Sequence, residues 1–183
     1  MRVITGSARG RRLITVPGSD LVRPTSEKVK EGLFSSIQFD IEGRRILDLF
    51  AGCGQLGIEA LSRGAVSCTF CDASEVSLGV VRQNIKNCGF ENVSRVVKSD
   101  YASYLLRCNE KYDIIFMDPP YKSGMLENAL NAAEKVLSDY GKIICEHPDD
   151  VVLPETAGGI TAIKNLKYGK ITVTVFQKGA NAQ

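Results

Sequence analysis

The chain has 183 residues, 44% hydrophobic and 24% charged, with a net charge of +2. That is the length of one domain with at most a small appendage, able to bury roughly 70% of its unfolded surface. No apolar run nears the ~18 residues of a membrane span, the N-terminus Met1–Gly6 holds no signal-peptide core, and the six cysteines lie mostly in predicted core elements, so the expected compartment is the reducing cytoplasm.

Charge is uneven along the chain. Residues 1–45 carry nine Lys/Arg against five Asp/Glu, a basic arm on a mildly acidic body, as expected for contact with a polyanion. Arg2–Val16 alternates weakly and carries Gly6 and Gly10, suggesting a small β-hairpin. Thr25 or Ser26 can then cap a helix with Val29, Leu33 and Ile37 on one face.

From Ile46 onward, short apolar runs alternate with helical patterns. Ile46–Phe50 reads as a strand running into Ala51-Gly52-Cys53-Gly54, followed by a helix to about Arg63 with Gly64 as its stop. Ser67–Cys71 is a second strand with Asp72 at its carboxyl end, and Ser74 caps a helix through Asn87. Val93–Lys98 is a third strand leading into Asp100 and Tyr101. Ile114–Met117 is a fourth, apolar at successive positions as when both faces are covered. A helix over Met125–Leu137 precedes a fifth strand, Lys142–Glu146. Ile160–Leu166 and Lys170–Phe176 then form an antiparallel pair at one sheet edge. The expected fold is α/β: a Rossmann-like, doubly wound, mostly parallel seven-stranded sheet, with its site at the carboxyl ends of the strands.

Gly52-Cys53-Gly54-Gln55-Leu56-Gly57 fits G-x-G-x-x-G after a strand, with Asp72 twenty residues beyond the first glycine. A nicotinamide dinucleotide and S-adenosylmethionine both fit that pattern: glycines admit the cofactor and the acid grips a ribose diol. Two features favour S-adenosylmethionine. Asp48 lies inside the first strand, where a buried acid is costly unless it orders the loop or meets a cationic ligand. Asp118-Pro119-Pro120-Tyr121 follows the fourth strand, where two prolines stiffen the chain and a carboxylate, carbonyls and an aromatic face come together. Such a group suits the amino group of a nucleobase, with Asp118 and the Pro119 carbonyl as acceptors, Pro120 rigidifying the turn and Tyr121 stacking. Asp100 and Tyr101 are expected near the adenine, although Asp100 also reads as a helix cap.

Cys68 and Cys71 form a C-x-x-C within a strand, where positions three apart face opposite sides; core packing is expected, not a metal or a disulfide. The single histidine, His147, is expected to end the fifth strand rather than act as a catalyst.

Asp48-Leu49-Phe50-Ala51-Gly52-Cys53-Gly54 with Asp118–Tyr121 resembles the class I S-adenosylmethionine-dependent amino-methyltransferases. Gly10-Arg11-Arg12-Leu13 and Arg23–Phe34 narrow the resemblance to the bacterial small-subunit ribosomal RNA guanine-N2 methyltransferase family, of the RsmD type. Cys53 and Asp72 depart from it mildly, standing where serine and glutamate are common. The resemblance implies a basic RNA-contacting extension over 1–40, a methyltransferase domain over 41–178 and a disordered tail over 179–183. It implies S-adenosylmethionine as cofactor (with S-adenosylhomocysteine as product), held by Asp48, Phe50, Ala51, Gly52, Gly54, Asp72, Ala73, Asp100 and Tyr101. It further implies catalysis by Asp118, Pro119, Pro120 and Tyr121, and RNA contacts from Arg9, Arg11, Arg12, Arg23 and Lys28. The implied partner is small-subunit ribosomal RNA within a partly or fully assembled 30S particle, met by a monomer. Methylation of adenine N6 or of a glutamine side chain, and a non-catalytic RNA-binding assembly role, are the alternatives.

Overall fold

A computed structural model describes residues 1–17, 27–120 and 124–179. The expected cap residues Thr25 and Ser26, together with Arg23, Tyr121 and the tail 180–183, lie outside the described residues. In chain order the described elements are α1 (Glu27–Ser36), β1 (Arg45–Asp48), α2 (Gln55–Ser62), β2 (Ser67–Asp72), α3 (Glu75–Cys88) and β3 (Ser94–Lys98). They continue with α4 (Tyr101–Arg107), β4 (Tyr112–Met117), α5 (Met125–Ala133), β5 (Leu137–Pro148), β6 (Thr156–Ala157), β7 (Ile160–Tyr168) and β8 (Ile171–Lys178).

The strands form one sheet in the order β3-β2-β1-β4-β5-β8-β7-β6. Strands β1 to β5 are mutually parallel, whereas β8 runs antiparallel to both β5 and β7. The chain winds outward from β1 through β2 to β3, then crosses back to place β4 on the other side of β1. Ligands in open α/β sheets bind at that switch point, beyond the carboxyl ends of the central strands. Asp48 ends β1 and Asp118 follows β4 directly.

The fold class is as expected, with one correction. The sheet has eight strands rather than seven. Thr156 and Ala157 pair with Thr161 and Ile160 across a Gly158-Gly159 turn. Only Ala157 of the two is buried, so no apolar alternation marks the strand in the sequence. The helix expected to reach Leu137 stops at Ala133 and tightens into a 3-10 turn over Glu134–Val136. The fifth strand, expected over Lys142–Glu146, extends to 12 residues because Leu137 already pairs with Tyr112.

Alternate residues of each central strand feed two apolar cores, one on each sheet face. Ile46, Cys68, Phe70, Ile114 and Phe116 join one core; Leu47, Cys71, Ile115, Met117 and Ile143 join the other. Cys68 and Cys71 therefore point to opposite faces, as their spacing requires, and both are free thiols. His147 is buried within β5, its Nε2 2.8 Å from Thr174 Oγ1.

The N-terminal segment shares the first core through Val3, Ala8, Leu13, Leu33 and Phe34. The expected hairpin over Arg2–Val16 is reduced to one antiparallel bridge, Arg2 with Arg12. Val3 N–H to the Arg11 carbonyl (2.9 Å) and Leu13 N–H to the Met1 carbonyl (3.1 Å) flank that bridge, and beyond it side chains of the main body take the segment's backbone groups. Glu59 accepts from the N–H of Ile4 (2.8 Å) and Thr5 (3.1 Å), and Asn84 Oδ1 accepts from that of Ile14 (2.8 Å). Gly6 has φ +91°, and a Cβ there would lie 1.7 Å from the Ser62 carbonyl oxygen, so only glycine permits this approach. Lys30, counted above in the basic arm, is fully buried; its Nζ donates to the Arg2 carbonyl at 2.7 Å and pairs with Glu59 at 3.4 Å.

Candidate active site

The loop after β1 is shaped by two carboxylates. Asp48 is 3% exposed, and its Oδ2 accepts from the Gly57 N–H at 3.0 Å. Gly57 is the third residue of α2, and the N-cap Gly54 offers no side chain. The strand acid thus supplies an acceptor that a serine or aspartate cap would otherwise provide. Asp72, at the tip of β2, accepts from Gly52 N–H (2.9 Å) through Oδ2 and from Ser74 N–H (2.8 Å) through Oδ1. Gly52 and Gly54 have φ of +55° and +81°, left-handed conformations in which glycine is unstrained.

These residues line a cavity of about 500 Å³. Its wall includes Asp48, Phe50, Ala51, Gly52, Asp72, Ala73, Asp100 and Tyr101 from the expected cofactor set, with Asp118, Pro119 and Pro120 from the strand-tip set. Gly54 is not on that wall; its place is structural, at the N-cap of α2. The Phe50 and Tyr101 rings lie 5.5 Å apart at 43°, offering apolar faces at one side of the cavity. Asp100 Oδ1 accepts from Ser103 N–H at 2.9 Å, so it caps α4 while also bordering the cavity. That bond, first, holds its carboxyl below the ordinary range.

Burial pushes the Asp48 carboxyl up to about 8, against the pull of the Gly57 N–H and with added repulsion from Asp118 and Asp72. Four acids around one cavity, Asp48, Asp72, Asp100 and Asp118, make it a place for positive charge. Among the described residues no group of three metal-ligating side chains occurs.

The sequence did not point to several wall residues. Met1, Thr15 and Val16 reach the cavity from the N-terminal segment, a tertiary contact with no local signature. Asn84 holds that segment against the glycine loop, donating from Nδ2 to the carbonyls of Ile14 and Cys53, each at 2.9 Å. Gln55 and Leu56 also line the cavity. A polar residue opening a helix inside an apolar stretch is the signal that would have found Gln55. Of the residues expected to contact RNA, Arg9, Arg11, Arg12 and Lys28 are exposed on the N-terminal segment and α1.

A family model described as Conserved hypothetical protein 95 matches residues 1–177. The Bacillus subtilis (strain 168) protein named "Putative rRNA methyltransferase YlbH" is 40% identical over 184 aligned residues, 97% of this chain and 99% of its own. "Ribosomal RNA small subunit methyltransferase D" of Escherichia coli (strain K12) is 34% identical over 100% of this chain and 92% of its own. The solved structure "Putative methyltransferase yhhF from Escherichia coli" superposes with a TM-score of 0.88 at 31% identity, covering 99% of both chains. Matched from Met1 to the last sheet strand, with full-length relatives and the sheet order described above, the chain belongs to the Conserved hypothetical protein 95 family, of the RsmD type its motifs resemble, with the fold of the class I S-adenosylmethionine-dependent methyltransferases.

Proposed function

We propose that the protein transfers a methyl group from S-adenosylmethionine to the exocyclic N2 amino group of a guanine in small-subunit ribosomal RNA. The observation that carries this reading is one cavity bordered both by the glycine loop with its acids and by Asp118-Pro119-Pro120. The names of the full-length relatives support the RNA substrate.

The residues present fit the cofactor. A Cβ built on Gly52 meets nothing within 4 Å, so the loop leaves open space beside its backbone. Asp48, costly to ionise when buried, is stabilised by a cation, and Asp72 has the acceptors a ribose diol needs. Phe50 and Tyr101 present faces for an adenine ring. When bound, S-adenosylmethionine supplies an electrophilic methyl on a cationic sulfur.

Guanine N2 is a weak nucleophile because its lone pair is delocalised into the ring. Asp118 and the Pro119 carbonyl accept its two hydrogens, which favours a pyramidal nitrogen and aims its lone pair into the cavity. Neither Pro119 nor Pro120 has an N–H to compete for those acceptors. Asp118 takes up the proton once it has become acidic, so no strong base is required. Tyr121 stacks on the base. Positioning of this kind lowers a barrier by on the order of 7–11 kcal/mol at best. The base must leave its stack to enter a strand-tip pocket, and residues 1–40 serve as the arm whose Arg9, Arg11, Arg12, Arg23 and Lys28 hold RNA phosphates. The substrate is the RNA within a 30S particle, and the enzyme acts as a monomer in the cytoplasm.

The test is incubation with tritiated S-adenosylmethionine and small subunits lacking the modification, followed by digestion to nucleosides. Label in N2-methylguanosine, lost in Asp118→Ala, is the expected result. Label in N6-methyladenosine refutes the guanine assignment while keeping amino methylation. Label in neither nucleoside, despite cofactor binding, refutes the RNA substrate.

A further inference from the structure

Asn84 lies in α3 and is fully buried, and its side-chain bonds all leave its own helix. Oδ1 accepts from the Ile14 N–H at 2.8 Å. Nδ2 donates to the Ile14 and Cys53 carbonyls, each at 2.9 Å, so the acceptor and both donors of the carboxamide are used. Val81 and Ile85, buried beside it on the helix, are apolar, so the packing of α3 alone gives no reason for a carboxamide here. Toward Ile14 it makes the pair of bonds that a neighbouring strand would make, one donated and one accepted. The two stretches it joins both border the cavity: Thr15 and Val16 follow Ile14 on the wall, and Cys53 lines it directly. Ile14 itself is 44% exposed and both its backbone groups go to this one side chain, so the stretch is cheap to release without it.

We infer that Asn84 is a positioning residue that couples the two substrates: it fastens residues 14–16 to the cavity, so that RNA on the N-terminal segment and an adenosyl ligand in the cavity strengthen each other's binding. This inference rests on the proposed function above. A ligand in the cavity meets Met1, Thr15 and Val16 and so favours the fastened segment. An RNA on Arg9, Arg11 and Arg12, which are exposed on the same segment, favours it too. Whichever binds first meets the cost of ordering the segment, and the second finds it in place. Without the Asn84 bonds, order at the arginines no longer reaches the wall, and the two events become independent. The coupling is the same from either side.

The test is equilibrium dialysis of tritiated S-adenosylhomocysteine, which cannot be turned over, against the protein alone and with saturating small ribosomal subunits that lack the modification. Co-sedimentation with the subunits and thermal melting without ligand are recorded beside it. Wild type should bind S-adenosylhomocysteine at least about fivefold more tightly when the subunits are present. In Asn84→Leu, which keeps the side chain's shape and loses its bonds, the two affinities should agree within about twofold. If Asn84→Leu does not fold, Ile14→Pro takes its place with the same expectation, since it removes the Ile14 N–H from an exposed position and leaves the bond to Cys53 intact. A variant that weakens S-adenosylhomocysteine equally in both conditions behaves as a merely structural change would, and overturns the inference. So does wild type with the same affinity in both. Wild type that binds no S-adenosylhomocysteine overturns the cofactor reading, and wild type that binds it but does not sediment with the subunits overturns the RNA reading; this inference falls with either.

Discussion

Gly57→Ala sets two effects of opposite sign against each other. Alanine is favoured over glycine in a helix interior by about 1 kcal/mol, and Gly57 is the third residue of α2. A Cβ there would lie 2.4 Å from Phe70 Cε1 and 2.6 Å from Cys68 Sγ. Both neighbours are shut inside the core, Phe70 at 0% and Cys68 at 1% exposure, so neither can swing aside. Ordinary contact requires roughly 1 Å more room, so either α2 lifts from the sheet or β2 yields. Overpacking of this kind costs about 1–3 kcal/mol, and the loss of the helix's fit is added to any strain in the Asp48–Gly57 hydrogen bond. The clash should win, with a net destabilisation of about 1–2 kcal/mol and a fall in Tm of roughly 2–8 °C for a chain of this size. Gly79→Ala is the matched control. It lies in α3, is exposed and a Cβ meets nothing within 4 Å, so only the propensity gain remains, about 0.5–1 kcal/mol of stabilisation. Calorimetric melting of the three proteins decides the matter. Gly57→Ala melting at or above wild type would refute the argument that glycine is there for helix–sheet approach.

Asp48 gives a pH dependence whose sign is fixed by its raised pKa. The folded state keeps the proton up to about pH 8, while the unfolded carboxyl releases it near 4, so stability declines as pH rises between those values, on the order of 1 kcal/mol per pH unit. In urea titrations Asp48→Asn should therefore gain on wild type from pH 5 to 8 and level off above; a gap independent of pH would count against the buried-acid account. By the same linkage, preference for the cationic S-adenosylmethionine over the neutral S-adenosylhomocysteine should grow from pH 6.5 to 8.5 in wild type and stay flat in Asp48→Asn, as measured by calorimetric titration. Lys30→Met should destabilise by about 2–4 kcal/mol, below the top of the range for a broken buried pair, because Glu59 keeps Arg63 at 2.9 Å and two backbone N–H donors. Hydrogen exchange at Ile4 and Thr5 should quicken with it; unchanged protection there would show that Lys30 does not anchor the segment.

What could be read from the sequence is what local chemistry dictates. Ser74 accepts from Ser77 N–H at 3.2 Å and Gly89 ends α3 in a left-handed conformation, because a cap needs only its own turn. Strands β1 and β4 were legible as apolar runs leading into Asp48 and Asp118, and β2 and β3 as stretches leading into Asp72 and Asp100. What escaped depends on partners far along the chain. Thr156–Ala157 is a strand only because β7 lies beside it. Lys30 looked like one more cation of a basic arm, yet Glu59, 29 positions away, brings it wholly into the core. Met1, Thr15 and Val16 border the cavity because Glu59, Ser62 and Asn84 hold the first segment down, and no spacing within residues 1–17 could announce that.

The same clamps tie the arm to the chemistry. Asn84 bonds the Ile14 carbonyl and N–H on one side and the Cys53 carbonyl on the other, and Cys53 lies between Gly52 and Gly54 in the loop after β1. An RNA that engages Arg9, Arg11 and Arg12 acts on a segment that shares a carboxamide with that loop and ends on the cavity wall. Linkage then requires that any change in cofactor affinity on RNA binding be matched by an equal change in RNA affinity on cofactor binding. The acids add a direction to this coupling. Asp48, Asp72 and Asp118 crowd one cavity, a cost to the empty protein that a cation relieves, so the site is most settled when a positively charged ligand is in place. A pocket built in this way should hold S-adenosylmethionine more firmly than its product, which has lost the sulfonium charge.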